Sequence, residues 1–338
     1  MNHIELLKRA FRITWRYKPL WLFGFILALC GGSQSGGGGN FNFPTSSSSE
    51  FGNFESTPWL PEVDPSLIVA AVAGLVCLIL LLAVIAVVAQ YVSRTALIGM
   101  VRQIEVTESV TVREGWRLGW SRSAWRVFLL SLLIGSPVAI VSIVLLLLAF
   151  SPLLLLLIDD TVAWVIGIAL TVMVFIFVLL LLLLLGAIIM PFMELAWRRT
   201  VLDDRGVITS LREVIDLIKA RFKDVAIVWL LMVGIGIGWG LASLLVVLPI
   251  ALIAALLIGG IPAGLVYLLS QSWVGAAVTG LPLALLTLIL ISSAATGFYL
   301  IFQSAVWTLT YLEIKPGSIE QPPAEMPSPE SGAMPAEA

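Results

Sequence analysis

The sequence predicts an all-α integral membrane protein of about six transmembrane helices, arranged as three helix-hairpin units, each preceded by a cytoplasmic amphipathic interfacial helix. Three observations predict it. Apolar residues make up 59% of the 338 and charged residues 12%, against roughly 45–50% and about 25% in soluble globular chains. Several apolar runs exceed the ~20 residues that cross a hydrocarbon core. The basic residues are also confined: of 19 Lys and Arg, five precede Leu20, six lie between Arg94 and Arg126, seven between Arg198 and Lys223, and Lys315 follows the last apolar run. Basic residues gather in cytoplasmic connections. Both termini and the loops 94–126 and 194–224 are therefore expected inside, and the other connections outside.

Taken in order, Ile4, Leu7, Phe11 and Trp15 share one face of a helix within residues 1–18. The first span, 19–31, is short unless the preceding helix contributes. Its end, Leu27-Ala28-Leu29-Cys30-Gly31, has the look of a lipid-modified cysteine signal, although Leu29 stands where such a signal needs a small residue. Residues 31–66 are Gly/Ser-rich and read as a flexible outer loop. Residues 67–92 form an uninterrupted span. The stretch VREGWRLGWSRSAWR, Val112 to Arg126, places Val112, Trp116 and Trp120 on one helix face with Arg113 and Arg117 beside it. Such a helix lies in the headgroup layer, rings at the acyl boundary and guanidinium groups on phosphates.

Residues 127–150 span outward, and Asp159-Asp160 marks the outer turn. Residues 162–193 return, with seven consecutive leucines, Leu179 to Leu185, expected to face lipid. A third helix, with Leu211, Val214, Ile215, Ile218 and Phe222 in its stripe, precedes span 226–258. There Gly234, Gly236, Gly238 and Gly240 are expected to let a neighbouring helix approach closely. Residues 259–280, broken by Gly and Pro, read as an outer interfacial or re-entrant segment, with a seventh span as the alternative. Residues 281–312 form the last span of the membrane domain, 1–312. The Pro/Glu/Ala-rich 313–338 reads as a disordered cytoplasmic tail.

An internal repeat runs beneath this. At a constant offset of 105 residues, Phe11 matches Trp116, Arg12 matches Arg117 and Trp15 matches Trp120. A weaker copy begins at Leu211, where Ile215 and Lys219 replace the tryptophans. The exits recur as well, aligning Trp197 with Trp307 and Asp203 with Glu313. Because each basic helix falls on the same side, the units are parallel rather than inverted.

The start RITWRYKPLWLFG, Arg12 to Gly24, and the exit ELAWRRTVLDDRGVITSLREVIDLIKARFKDVAIVWLL, from Glu194, resemble those of a group of bacterial and archaeal multi-pass membrane proteins. The group includes the membrane domain sometimes fused to glycerophosphoryl diester phosphodiesterases and its uncharacterised stand-alone relatives. The resemblance covers most of residues 4–312 and implies a bacterial cell-membrane location. The fused phosphodiesterase is a separate barrel with catalytic His, Glu and Asp. This chain has His3 as its sole histidine, so that activity does not carry over.

Catalysis needs acids, bases, nucleophiles or metal ligands brought together. Here no Cys/His/Asp cluster has metal-ligand spacing, so no catalytic, cofactor-binding or metal residues are assigned, and no cofactor is expected. Glu194, four residues before Arg198, reads as an ion pair at the interface. Every Asp, Glu, Lys and Arg lies at or beyond the end of an apolar run, which argues against ion-coupled pumping. The expected role is non-catalytic membrane or envelope organisation. Arg12, Trp15, Arg113, Trp116, Arg117 and Trp120 form the lipid interface, and anionic headgroups are the partners, with no nucleic acid. A second copy or another membrane protein stays open as a further partner. The alternative is an uncoupled transporter or lipid translocator, signalled by a mid-membrane cavity lined by Ser292, Ser293, Thr296 and Gln303.

Overall fold

The structure is a computed structural model that describes residues 2–31, 65–158, 160–203 and 206–315. The expected outer loop and C-terminal tail lie almost wholly outside the described residues, which are helical throughout apart from short connections. Helices α1 (His3–Arg16) and α2 (Pro19–Leu29) lead to α3 (Pro65–Thr107), then α4 (Val112–Gly119), α5 (Arg122–Phe150) and a 3-10 turn, Ser151–Leu157. Helix α6 (Thr161–Leu202) comes next, then α7 (Val207–Ala220) and α8 (Phe222–Ala242). A π-helical segment, Ser243–Val247, joins α8 to α9 (Leu248–Ser270), and α10 (Trp273–Ile314) ends the described chain.

Among the described residues, five helical stretches are long and apolar enough to cross a membrane: Ala73–Thr107, Arg122–Leu155, Trp164–Leu202, Phe222–Ser270 and Trp273–Ile314. Helix α2 is the exception. Its 11 residues rise about 16 Å, short of a hydrocarbon core of about 30 Å.

The packed core lies at one end of the long helices. Ala96, Leu97, Met100 and Val101 of α3, Leu195 and Trp197 of α6, and Ile301, Ala305 and Trp307 of α10 are all buried there. Against them pack Leu6 and Ala10 of α1, Phe23 of α2, Val127 of α5, Val214 of α7 and Val228 of α8. Away from this end the long helices present bare apolar surface: Leu75 to Leu82 of α3 are all exposed, and none of Leu179 to Leu185 is buried. Such surface is stable only in an apolar surround.

Glycine sets where helices approach. Helix α2 crosses α10 at Gly24 and Gly297: a Cβ on Gly297 would sit 2.9 Å from the Gly24 carbonyl oxygen. The expected close approach along Gly234, Gly236, Gly238 and Gly240 is reduced to one position. Gly236 lies under the Tyr299 hydroxyl, while a Cβ on any of the other three would meet nothing within 4 Å.

Residues 259–280 also differ from the outer interfacial or re-entrant segment that their Gly and Pro content predicts. Helix α9 runs unbroken to Ser270, the chain turns at Gln271 and Ser272, and α10 begins at Trp273 with the Ser272 hydroxyl accepting from the Gly275 amide. The glycines are there for packing. A Cβ on Gly259 would meet the Gly280 carbonyl oxygen at 2.6 Å, and one on Gly280 would meet Ala263 Cβ at 2.5 Å. Pro262 and Pro282 sit inside helices, tolerated where a neighbour covers the freed carbonyl.

Candidate lipid interface and buried charge cluster

Helix α4 begins with a capping box. The Thr111 hydroxyl accepts from the Glu114 amide, and the Glu114 carboxylate accepts from the Thr111 amide at 2.9 Å. These bonds hold the Glu114 carboxyl below its ordinary range. Two glycines then decide how the helix packs. A Cβ on Gly115 would strike Met100 Sδ at 2.5 Å and the Phe23 ring at 2.7 Å; one on Gly119 would strike the Val92 carbonyl oxygen at 2.6 Å. Helix α4 therefore runs antiparallel along the last turns of α3, backbone against backbone, with its glycine face inward.

The opposite face carries the aromatic and basic residues. Trp116 is 53% exposed and Trp120 66%; their rings stack at 6.2 Å with 11° between planes. Arg113 and Arg117 are exposed beside them. Helix α1 repeats the arrangement. Ala10 and Thr14 are buried at the positions matching Gly115 and Gly119, while Arg12 and Trp15 are exposed. Phe11 and Trp15 stack at 6.3 Å, and Trp15 meets Phe298 of α10 edge-on at 6.0 Å. All six residues expected at a lipid interface are thus on open faces. They form two separate sets, one on α1 beside α10 and one on α4 beside α3.

Ionic contacts tie the same end of the bundle together. Arg9 of α1 pairs with Glu105 of α3. Arg199 of α6 bonds Glu213 of α7 at 2.5 Å, Asp203 at 2.7 Å and the Tyr311 hydroxyl of α10 at 2.9 Å. Tyr311 donates to Asp203 at 2.7 Å, and Lys315 adds its ammonium to Asp203 at 2.5 Å. Burial alone would raise the Asp203 carboxyl. The bonds from Lys315 and Tyr311, with the Arg199 charge, outweigh it and hold that carboxyl below its ordinary range.

Glu194 and Arg198 form the i,i+4 ion pair that their spacing predicts, but not at a solvated interface. Glu194 is 6% exposed and Arg198 2%. Arg198 Nη1 also donates to the Glu194 carbonyl at 2.6 Å, and Nη2 to the Ser304 carbonyl of α10 at 3.3 Å. Arg94 of α3, 8% exposed, joins them: its guanidinium lies 3.9 Å over the Trp197 ring, within the field of Glu194. The Trp197 indole donates to Ser131 of α5 at 2.9 Å. Between these groups is a cavity of about 30 Å³, lined by Arg94, Glu194, Trp197, Arg198, Gln303 and Ser304 among others.

Sequence reasoning missed Arg94 as part of this cluster, because its partners stand about 100 residues away and no periodicity links them. The G-x-x-x-G of Gly115 and Gly119 was a signal available in the sequence, hidden between the two tryptophans that mark the other face. Among the described residues, no group of three or more His, Cys, Asp or Glu could hold a metal ion.

Comparison with curated proteins returns no match, and neither does comparison with solved structures. Nothing in these comparisons bears out the expected resemblance to the phosphodiesterase membrane domain. A family model described as a family of unknown function (DUF7544) matches residues 7–313. That range takes in α1 at one end and the last turn of α10 at the other, so this all-helical membrane protein belongs to the DUF7544 family.

Proposed function

We propose that this protein is a non-catalytic integral membrane protein of the bacterial cell membrane. It organises membrane or envelope by holding anionic lipid headgroups, or a partner protein, on the cytoplasmic side. The observation that carries this reading is the outward Trp/Arg face of α1 and α4. Stacked rings stand exposed beside arginines, on helices whose opposite faces are pressed into the bundle at Ala10, Thr14, Gly115 and Gly119. Amphipathic aromatic rings settle at the boundary between headgroups and chains, and guanidinium groups reach phosphate from there.

The recurrence of one burial pattern supports three parallel units and six crossings. Ala10 and Gly115 are buried at the offset of 105, and Thr200 and Thr310 are buried at equivalent positions of the two aligned exits, as is Thr95, which lies 105 before Thr200. Each unit then consists of a basic helix, a way out and a way back. The exits of α3, α6 and α10 meet in the common core.

The test is lipid retention. Each basic residue near an anionic surface adds about 1 kcal/mol, screened by salt. Changing Arg113, Arg117 and Arg122 together to Gln is expected to lower the anionic lipid that co-purifies, measured by mass spectrometry of the extracted protein. Unchanged lipid content would mean that these arginines serve orientation alone.

A second reading, an uncoupled path for lipid or solute between the units, draws on the buried Arg94, Glu194 and Arg198, since ionisable groups inside membrane bundles often mark pathways. The cavity beside them favours the first reading. It is small, and it reaches Gln303 and Ser304 without opening onto Ser292, Ser293 or Thr296.

A further inference from the structure

We propose that the half of the bundle far from the charge cluster is built to seat long-chain lipid. Its helices fit a hydrocarbon layer of about 35–45 Å, against about 30 Å in a typical bilayer. The proposal rests on the membrane assignment and on no part of the headgroup reading.

Three helices are tied at one level at the charged end. Arg94 of α3 lies over the Trp197 ring of α6, and Arg198, the next residue, donates to the Ser304 carbonyl of α10 at 3.3 Å. Helix α4 sits at that level too, with Gly119 against Val92 and Ala96 of α3. Aromatic rings return at the far ends. Trp164 on α6 donates its indole N–H to the Ile158 carbonyl at 3.0 Å, and Tyr267 of α9 meets Trp273 of α10 at 4.6 Å. Such rings favour the level of the headgroups. Trp164 stands 33 residues before Trp197 on one helix, and Trp273 stands 31 residues before Ser304 on another. At 1.5 Å per residue these intervals measure about 50 Å and 46 Å.

The whole of each interval is apolar. No Asp, Glu, Lys, Arg or His occurs from 161 to 193 or from 273 to 312. A typical hydrocarbon layer takes about 20 residues of helix. Measured from Trp197 and Ser304, it would end near Phe177 and Ala284. Ile168 and Val172 of α6, and Val278 and Leu281 of α10, would then stand in water, and all four are exposed. Contiguous apolar surface of that extent is not left in water without a partner.

The far ends are packed pairs rather than frayed helices. A Cβ on Gly167 of α6 would meet the Pro152 carbonyl oxygen at 3.3 Å, and one on Gly275 of α10 would meet Val266 of α9 at 3.3 Å. Tilt takes up only part of the excess length. At about 40°, the end of the usual range, an interval of about 46 Å still spans about 35 Å. Acyl chains long enough to cover that length are therefore the occupant of this surface.

The experiment uses the full-length protein, purified and reconstituted into vesicles of monounsaturated phosphatidylcholine. The chains have fourteen, eighteen or twenty-two carbons. The melting temperature of the wild type is expected to rise along this series and to be highest with twenty-two. Single cysteines, Ile168→Cys and Val278→Cys, are placed in a background with Cys30 and Cys77 replaced by Ala. A charged maleimide is supplied on both faces of the membrane. Labelling is expected to be at least tenfold slower in the longest chains than in the shortest. A melting temperature highest with fourteen or eighteen carbons would overturn the proposal. So would equal labelling in the shortest and longest chains: if fast, water reaches the far ends in either lipid, and if slow, a second copy of the chain covers them.

Discussion

At the scale of single residues, the carboxylates take their roles from their neighbours. Glu194 neutralises part of a buried pair of guanidinium groups. Glu194→Ala leaves both without it, and loss of one partner from a buried ion pair costs about 3–5 kcal/mol. Thermal unfolding of the purified protein should show a loss of that order, with Glu194→Gln losing less. Purified protein is expected to release no product from glycerophosphodiesters, with or without divalent metal. Metal-dependent turnover that disappears in folded Glu194→Gln would refute the non-catalytic reading. Asp203 gives a pH signature. Its carboxyl is held below its ordinary range, so the folded state binds fewer protons there than the unfolded chain does. The stability it contributes is complete at neutral pH, begins to fall near the ordinary Asp value of about 3.9, and is lost as pH drops through the lower folded value. Asp203→Asn should flatten that acid limb of the melting-temperature profile while costing about 1–2 kcal/mol at neutral pH. The Glu194–Arg198 pair was legible in the sequence because i,i+4 partners announce themselves. Arg94 and Tyr311 were not, since only the tertiary fold brings their helices to α6.

At the scale of elements, the glycines separate helices that touch from helices that do not. Gly119→Ala forces a methyl group against the Val92 carbonyl, a backbone atom that cannot swing away. Overpacking of this kind costs about 1–3 kcal/mol. Gly234→Ala meets nothing within 4 Å and should be neutral or gain up to about 1 kcal/mol from helix propensity. Measured side by side in one detergent, the two unfolding curves should shift in opposite directions or by clearly different amounts. The all-α class and the long apolar helices were legible in the sequence, because apolar runs are local. The hairpin of α9 and α10 was not. Gly259, Gly260, Pro262, Gly264 and Gly280 look like breaks until α10 packs along α9 and, at Gly259 and Gly280, supplies the reason for small side chains. The reading of four alternate glycines in α8 as a packing seam failed for the converse reason. Composition says that a backbone can approach, and only the neighbour's position says that one does.

At the scale of the whole molecule, the charged and buried end of the bundle faces one way and the bare apolar length of the helices the other. The confinement of Lys and Arg in the sequence is the basis of the proposed orientation. The number of crossings was less legible in the sequence, and the structure shows why. Helix α2 packs beside the buried end of α3, where Phe23 and Met100 meet across Gly115 and Leu27 lines the Arg94 cavity. Its 11 residues reach only part of the way across. The next helix nevertheless starts at Pro65, 35 residues before Met100 on one continuous helix, or about 50 Å away at 1.5 Å per residue. Leu29 and Pro65 therefore lie at different heights along the bundle, and the proposed three-unit arrangement requires a crossing between them. The parallel three-unit arrangement rests on this first crossing.

Topology is accordingly the most direct test. With Cys30 and Cys77 replaced by Ala, single cysteines placed at Ser35 and at Ser331 are exposed to an impermeant thiol reagent on intact cells and again after permeabilisation. The three-unit arrangement predicts labelling of Ser35→Cys on intact cells and of Ser331→Cys only after permeabilisation. Protection of Ser35→Cys on intact cells, or labelling of Ser331→Cys, would contradict it.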